Sequence, residues 1–212
     1  LGGEGWGVFV TFEGIEGAGK STLVAGVAER LRALDRVVIA TKEPGGTAFG
    51  DAVRAVFLDP AFSVDPIAEV MMVNASRAQL VSEVIGPGLK MGATVLCDRF
   101  FDSTIAYQGF GRGLDAEELL QICLLATNRI SPDLTFLIDI PVAVSAERVL
   151  GRGGSDRVER EGSAFHERVR DGYLALARRF PHRYVTLDGT LASGELVREA
   201  LAIVEARRVV RR

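Results

Sequence analysis

The sequence is poor in cysteine, histidine, tryptophan and lysine. Cys97 and Cys123 are the two cysteines of the 212-residue chain. Both sit inside apolar runs, too few and too ill-spaced for a disulfide scaffold or a thiolate metal site. They read as buried reduced thiols, and a cytoplasmic location is the expectation. No apolar run is long enough for a membrane span, and no secretory signal is visible, so no membrane partner is expected. Lysine occurs at Lys20, Lys42 and Lys90 alone, so arginine carries most of the positive charge. The formal net charge is -3, which gives no support for nucleic acid as a partner. There is no internal repeat, low-complexity block or long linker. The hydrophobic fraction, 48%, is ordinary for a globular chain and sufficient for one substantial core. The glycine-rich stretch Leu1 to Gly7 reads as a leader or an added remnant, leaving 8–212 as a single domain.

What the chain does contain is organised around Gly14-Ile15-Glu16-Gly17-Ala18-Gly19-Lys20-Ser21. This stretch matches the phosphate-binding pattern G-x-x-x-x-G-K-[ST] at every fixed position. Val8 to Phe12 before it reads as a buried strand. Ser21 to Leu34 after it has apolar residues at helical spacing: Leu23, Val24, Val27, Ala28 and Leu31. A strand, a glycine loop and a helix start in that order make an anion cradle, with backbone N–H groups and the helix N-terminus turned onto phosphate. Lys20 is placed for the β- and γ-phosphates of a nucleotide, and the Ser21 hydroxyl for Mg²⁺.

The rest of the chain alternates. Strands are expected at 37–40, 94–97, 134–140 and 184–187. Helices are expected over 51–58, 66–89, 101–108, 115–126, 142–150, 163–180 and 195–208. Gly109 to Gly113 is expected to end the helix before it, and Asp115 to cap the one after. Val70-Met71-Met72-Val73 is apolar all round, which predicts burial on every side, one face on the sheet and another against a second subunit. This order implies an α/β fold of three layers, a parallel sheet with helices on both faces and ligands beyond the C-terminal strand ends. The phosphate loop, the loop Thr41 to Thr47 and Asp98-Arg99 all follow strands and should meet in one cleft.

Three features carry chemistry there. Asp98 ends an apolar strand, where phosphate-loop proteins place the carboxylate that supports Mg²⁺. Beside it, Arg99 suits a phosphate. Glu16 puts a carboxylate next to bound phosphates, an electrostatic cost unless it holds a hydroxyl or opposes an arginine. Arg148, Arg152 and Arg157 surround the glycine-rich break at 151–157, a segment suited to closing over ATP and presenting an arginine to the transferring phosphoryl group, or simply to lying solvated as a basic loop. The loop alone leaves open a nucleotide-switch GTPase, although the guanine-reading Asn-Lys-x-Asp motif is missing. A domain that binds nucleotide without catalysis stays open too.

Taken together, Phe12 to Thr22, Lys42 to Thr47, Ser76-Arg77-Ala78-Gln79, Asp98-Arg99-Phe100, Ser103 to Gly109 and Asp156 to Glu159 resemble bacterial thymidylate kinases, in that family's order and spacing. The Glu-Pro-Gly-Gly-Thr and Ala-Tyr-Gln-Gly pieces are far more specific than the loop. The resemblance implies the P-loop NTPase fold with a five-stranded parallel sheet, a homodimer built partly through the helix containing Val70 to Val73, and ATP-dependent phosphorylation of dTMP to dTDP. ATP would be held by Gly14, Ile15, Glu16, Gly17, Ala18, Gly19, Lys20, Ser21 and Thr22, and Mg²⁺ by Ser21 and Asp98. Arg54 and Arg99 would hold the dTMP phosphate, Arg77 the thymine edge and Glu16 the 3′-hydroxyl. Glu43, Ser103, Tyr107 and Gln108 would complete the nucleoside pocket. Lys20, Arg99, Glu16 and Arg152 form the expected catalytic set. Gly17 stands where some members carry a loop arginine, which passes that task to Arg152 in a lid at about 151–162. The chain departs from the family at Phe100, usually Tyr, and at Val73, where a Phe usually stacks on the base. Val73 keeps another nucleoside monophosphate kinase in view. Phe49 and Phe101 are the candidate rings to replace the missing stack.

Overall fold

Each of the five apolar runs becomes a strand, and all pair in parallel in the order β2-β3-β1-β4-β5. The computed structural model describes residues 7–151 and 156–210. The strands are β1 (Val8–Glu13), β2 (Val38–Lys42), β3 (Thr94–Asp98), β4 (Leu134–Asp139) and β5 (Tyr184–Asp188). The helices are α1 (Lys20–Ala33), α2 (Ala48–Leu58), α3 (Pro66–Leu80), α4 (Gly86–Lys90), α5 (Phe101–Thr104), α6 (Ala116–Ala126), α7 (Val142–Leu150), α8 (Ser163–Arg179) and α9 (Ser193–Val210). All of β1 is buried, on both faces, whereas the edge strands β2 and β5 are partly exposed. A parallel sheet covered on both sides demands that difference. Gly7, grouped with the leader by composition, packs against the fold: its N–H donates to Leu89 O at 2.8 Å.

Register positions the site. Asp98 lies opposite Phe12 on one side and opposite Lys42 on the other. The loops after β1, β2 and β3 therefore leave the same sheet edge. This is the crevice where open α/β sheets hold ligands, between strands whose connections run to opposite sides.

Local chemistry sets the helix ends. Thr47 Oγ1 accepts from Gly50 N at 2.9 Å, so α2 begins earlier than its apolar pattern suggests. Asp115 caps α6 as expected, its Oδ1 accepting from Glu117 N and Glu118 N, each at 2.9 Å. The long helix expected over 66–89 is interrupted by a π-helical turn, Val81–Ile85, between α3 and α4. Pro87 has no N–H to close an α-turn on Glu83, and the widened turn, with Gly86 N donating to Val81 O, absorbs the mismatch.

Two further expectations are corrected. Gly109 does not stop the helix it follows: α5 runs into a π-helical segment, Ile105–Gly111, that carries Tyr107 and Gln108. Here the glycines serve packing. A Cβ on Gly111 would come within 2.6 Å of the Phe165 ring of α8, so only glycine admits this approach. The left-handed stop comes at Gly113, φ 85°. Within the single chain the segment Val70 to Val73 is not buried on every side, and the open face is the one expected to meet a second subunit. Val70 and Val73 are buried, but Met71 is 52% exposed and lines a shallow apolar surface with Met72, Val53 and Val56. Nor does α3 lie on the sheet as expected: it packs against α2, α6 and the π-helical segment after α5, and its outer face is left open in a single chain.

Candidate active site

The phosphate loop is built from left-handed glycines. Gly14, Gly17 and Gly19 have φ of 139°, 71° and 95°. At Gly14 a Cβ would also sit 2.4 Å from Ile138 O, so the loop is fixed by backbone contact with β4. Lys20 turns back over this loop and donates to Gly14 O at 3.0 Å and Ile15 O at 2.7 Å. Burial, and then the positive charge of Arg99, pull its pKa down to about 8. Ser21 Oγ donates to Asp98 Oδ2, so these two oxygens face each other across the β1–β3 register. The Glu16 and Gly17 carbonyls are held by α7, through Ser145 Oγ at 2.7 Å and Arg148 Nη1 at 3.1 Å.

Arg99 is the centre of the cleft. Its backbone takes φ 71°, a strained conformation for a non-glycine residue and one that gathers at functional sites. Its Nη1 donates to Gly14 O at 3.0 Å, Ser103 Oγ at 3.1 Å and Tyr173 OH at 2.9 Å. Its Nη2 donates to Glu16 Oε1 at 2.9 Å and Tyr107 OH at 3.1 Å. Burial works against ionisation of Glu16, but Arg99 and then Lys20 outweigh it and hold the carboxyl below its ordinary range. The other oxygen, Glu16 Oε2, is buried without a hydrogen-bond partner, 3.6 Å from His166 Nδ1. Behind Arg99 lies Glu13, fully buried, accepting from Phe100 N at 2.7 Å, Ser103 Oγ at 2.7 Å and Tyr173 OH at 3.0 Å. Burial, then Asp102, push Glu13 up to about 7.

On the far wall, α3 presents Val73 and Arg77 one helical turn apart, on one face. Arg77 is 2% exposed and paired with Glu43, its Nε and Nη2 both 2.8 Å from Oε2. It also donates to Asn74 Oδ1 at 2.9 Å and Phe100 O at 3.3 Å. Burial opposes the Arg77 charge, but Glu43 outweighs it and holds the guanidinium pKa above its ordinary value. Arg54 Nη1 donates to Pro44 O at 3.0 Å.

One cavity of about 300 Å³ joins these groups. Glu16, Ser21, Glu43, Arg54, Val73, Arg77, Asp98, Arg99, Ser103, Tyr107 and Gln108 all line it, every nucleoside-site residue expected from sequence among them. The rings on its wall are Phe57, Phe100 and Tyr107. Phe49 is half exposed elsewhere, and Phe101 is buried beside Phe100 and Arg183, so neither replaces the stack. Arg152 lies outside the described residues. Of the other two arginines expected around a lid, Arg148 is held on Gly17 O and Gly189 O, and Arg157 on Phe57 O at 3.0 Å and on Glu69. Glu13, Glu69 and Tyr173 escaped the sequence reading as functional residues. Glu13 alone had a signal, its place beside the loop.

A family model described as thymidylate kinase matches residues 12–200. The chain belongs to the thymidylate kinase family. Among its relatives, a thymidylate kinase of Geobacter sp. strain M21 is 50% identical over 209 residues, 95% of this chain and 92% of that protein. One from Deinococcus radiodurans is 48% identical, over 95% of this chain and 98% of its own. The crystal structure of thymidylate kinase from Ehrlichia chaffeensis superposes with a TM-score of 0.76 at 32% identity, covering 94% of this chain and 99% of that one. The strand order, the phosphate loop and the joined cavity described above are thus features of a thymidylate kinase family member. Among the described residues no helix is long and apolar enough to cross a membrane.

Proposed function

We propose that this chain transfers the γ-phosphoryl group of ATP to dTMP, giving dTDP, and that the joined cavity is where the two nucleotides meet. The observation that carries the reading is that one cavity is lined by Ser21 and Asp98, by Arg99, and by Val73, Arg77 and Gln108 together. An in-line transfer needs its two phosphate chains brought end to end, and catalysis is then positioning plus charge neutralisation. The loop Gly14 to Thr22 holds the triphosphate, with Lys20 leaving its carbonyl partners for the β- and γ-oxygens. Arg99 and Arg54 take the dTMP phosphate, which competes with Glu16 for Arg99 and frees Glu16 for the sugar 3′-hydroxyl. Arg77 meets the base edge, Glu43 supports it, and Ser103, Tyr107 and Gln108 complete the nucleoside wall. Arg152 supplies charge to the transferring group.

Mg²⁺ fits the residues present. Ser21 Oγ and Asp98 Oδ2 are hard oxygen donors in mutual contact on the cavity wall. No cluster of three or more acidic, histidine or cysteine ligands exists among the described residues. That suits an ion which takes one or two protein oxygens and completes its shell with water and phosphate. When bound, Mg²⁺ neutralises charge on the phosphate oxygens. The exposed apolar face of α2 and α3, with Met71 and Val56 about half exposed, supports a homodimer through that face. Two buried free thiols, Cys97 and Cys123, suit a cytoplasmic setting.

The test is turnover of Lys20→Ala, with folding checked by circular dichroism. The reading expects dTDP formation to be abolished in a folded protein. Near-normal kcat at saturating ATP and dTMP would overturn it.

A further inference from the structure

Glu69 is a carboxylate in the wrong place for a solvent-facing helix residue. It lies one turn before Val73 and two before Arg77, on the same face of α3, and is 1% exposed. Its Oε2 accepts from Gln108 Nε2 at 3.0 Å and from Arg112 Nε at 3.3 Å. Its Oε1 accepts from Arg112 Nη2 at 3.0 Å and from Arg157 Nη1. Burying such a charge is costly unless it is paired and does something a neutral group would not.

The partner that matters is Gln108. A primary amide has one accepting and one donating end, and nothing in its shape decides which faces which way. A carboxylate held by two guanidinium groups accepts hydrogen bonds and donates none. Gln108 must therefore turn its NH₂ toward Glu69. Its carbonyl oxygen makes no hydrogen bond among the described residues, and the side chain lines the nucleoside end of the cavity. The bond to Glu69 thus fixes which end of the amide is committed and leaves the carbonyl oxygen as the acceptor on the cavity side.

We infer that Glu69 is a specificity-positioning residue, which locks the Gln108 amide with its carbonyl toward the base and so selects pyrimidines that carry an N3–H. Thymine has that proton. Cytosine presents a bare N3 acceptor at the same edge and would meet oxygen against nitrogen lone pair. A site built to pair with a donor rejects the analogue lacking it far more strongly than a shape difference would, because buried polar groups are left unpaired. The inference rests on the dTMP reading. It adds a residue that does not touch the base.

The experiment compares dissociation constants for dTMP and for the monophosphate of 5-methyl-2′-deoxycytidine, by calorimetry, in wild type and in Glu69→Gln. The cytidine probe keeps the methyl group and changes the N3 and C4 edge alone. A glutamine at position 69 can accept or donate, so the Gln108 amide is free to turn over. The preference for dTMP is expected to fall at least fivefold, while Glu69→Asp, which still only accepts, keeps it. A merely structural role weakens both ligands alike, so an unchanged ratio in folded Glu69→Gln overturns the inference. Should unpaired arginine charge prevent folding, Glu69→Gln combined with Arg112→Gln restores the local charge sum and is read in the same way. If that variant also fails to fold, Glu69 is structural and the inference is wrong. A wild type that binds dTMP no better than the cytidine probe removes the functional reading and this inference together. An unchanged ratio in a dTMP-selective wild type removes the inference alone.

Discussion

Replacing Glu43 by alanine should be among the most damaging single changes near the cavity, although it removes no group expected to act on phosphate. Glu43 and Arg77 have side chains 3% and 2% exposed, with Nε and Nη2 of the guanidinium both on Oε2 at 2.8 Å. Without the carboxylate, Arg77 keeps Asn74 Oδ1 and Phe100 O, both neutral acceptors, so its charge stays buried and uncompensated. Breaking one side of such a pair costs about 3–5 kcal/mol. In a chain of this length each kcal/mol lowers the melting temperature by about 2–4 °C, so Glu43→Ala should melt about 6–20 °C below wild type. The double change Glu43→Met with Arg77→Met removes both charges and fills the space, and should recover most of the loss while abolishing tight dTMP binding. Differential scanning calorimetry on the three proteins decides the matter. A Glu43→Ala protein that melts within 2 °C of wild type, or a double variant no more stable than the single one, refutes the claim that this pair holds an otherwise uncompensated charge.

Three other outcomes follow from the same geometry. In the proposed base site Val73 would be an apolar wall without a π-face, and base–aromatic stacking contributes roughly 1–3 kcal/mol. Val73→Phe should therefore tighten dTMP by about fivefold or more in a variant of unchanged melting temperature, and weaker binding there would mean the wall has no room for a ring. Arg152→Ala should lower kcat by about 10³–10⁵ with little change in KM for dTMP; a mild effect, with Arg148→Ala crippling instead, would move the role to Arg148. Burial and then Asp102 push Glu13 from 4.5 to about 7, so folding favours its protonated form. That contribution is full below about pH 4.5 and lost as pH rises through about 7, on the order of 3 kcal/mol. Glu13→Gln should flatten stability against pH across this window, and an unchanged slope would show that another group titrates there.

The fold was legible because its signals are local. Val8 to Glu13 is buried on both faces and reads as a continuous apolar run, and the loop after it is written in glycines whose positive φ only that residue takes easily. The alternation of strands with helices then led to the parallel sheet. Helix interiors were less legible. Nothing near Val81 announces a π-turn except Pro87 ahead of it, and the glycines at 109 and 111 look like breakers when read without the Phe165 ring that α8 lays against them. The chemistry of the candidate site divides the same way. Lys20 opens the helix after the glycine loop, Asp98 ends β3 and Arg99 follows it, so all three could be placed from spacing. Tyr173 reaches Arg99 from far along the chain, and Glu69 looks like one more polar residue in a helix until Gln108, Arg112 and Arg157 are seen converging on it. Phe49 and Phe101, the candidate rings, could not be placed from sequence for the same reason: which side chains turn inward depends on neighbours far along the chain, and the rings on the cavity wall are Phe57, Phe100 and Tyr107.

The central claim is that the cavity between the phosphate loop and α3 binds dTMP as phosphoryl acceptor. The measurement that reaches it most directly is ADP release from ATP and Mg²⁺ with a panel of monophosphates, dTMP, dUMP, dCMP, dAMP and dGMP, each run to a full kcat/KM. The account predicts that dTMP has the highest value and that dTDP forms in step with ADP. A higher kcat/KM for any other monophosphate, or no ADP release with any of them, would contradict it.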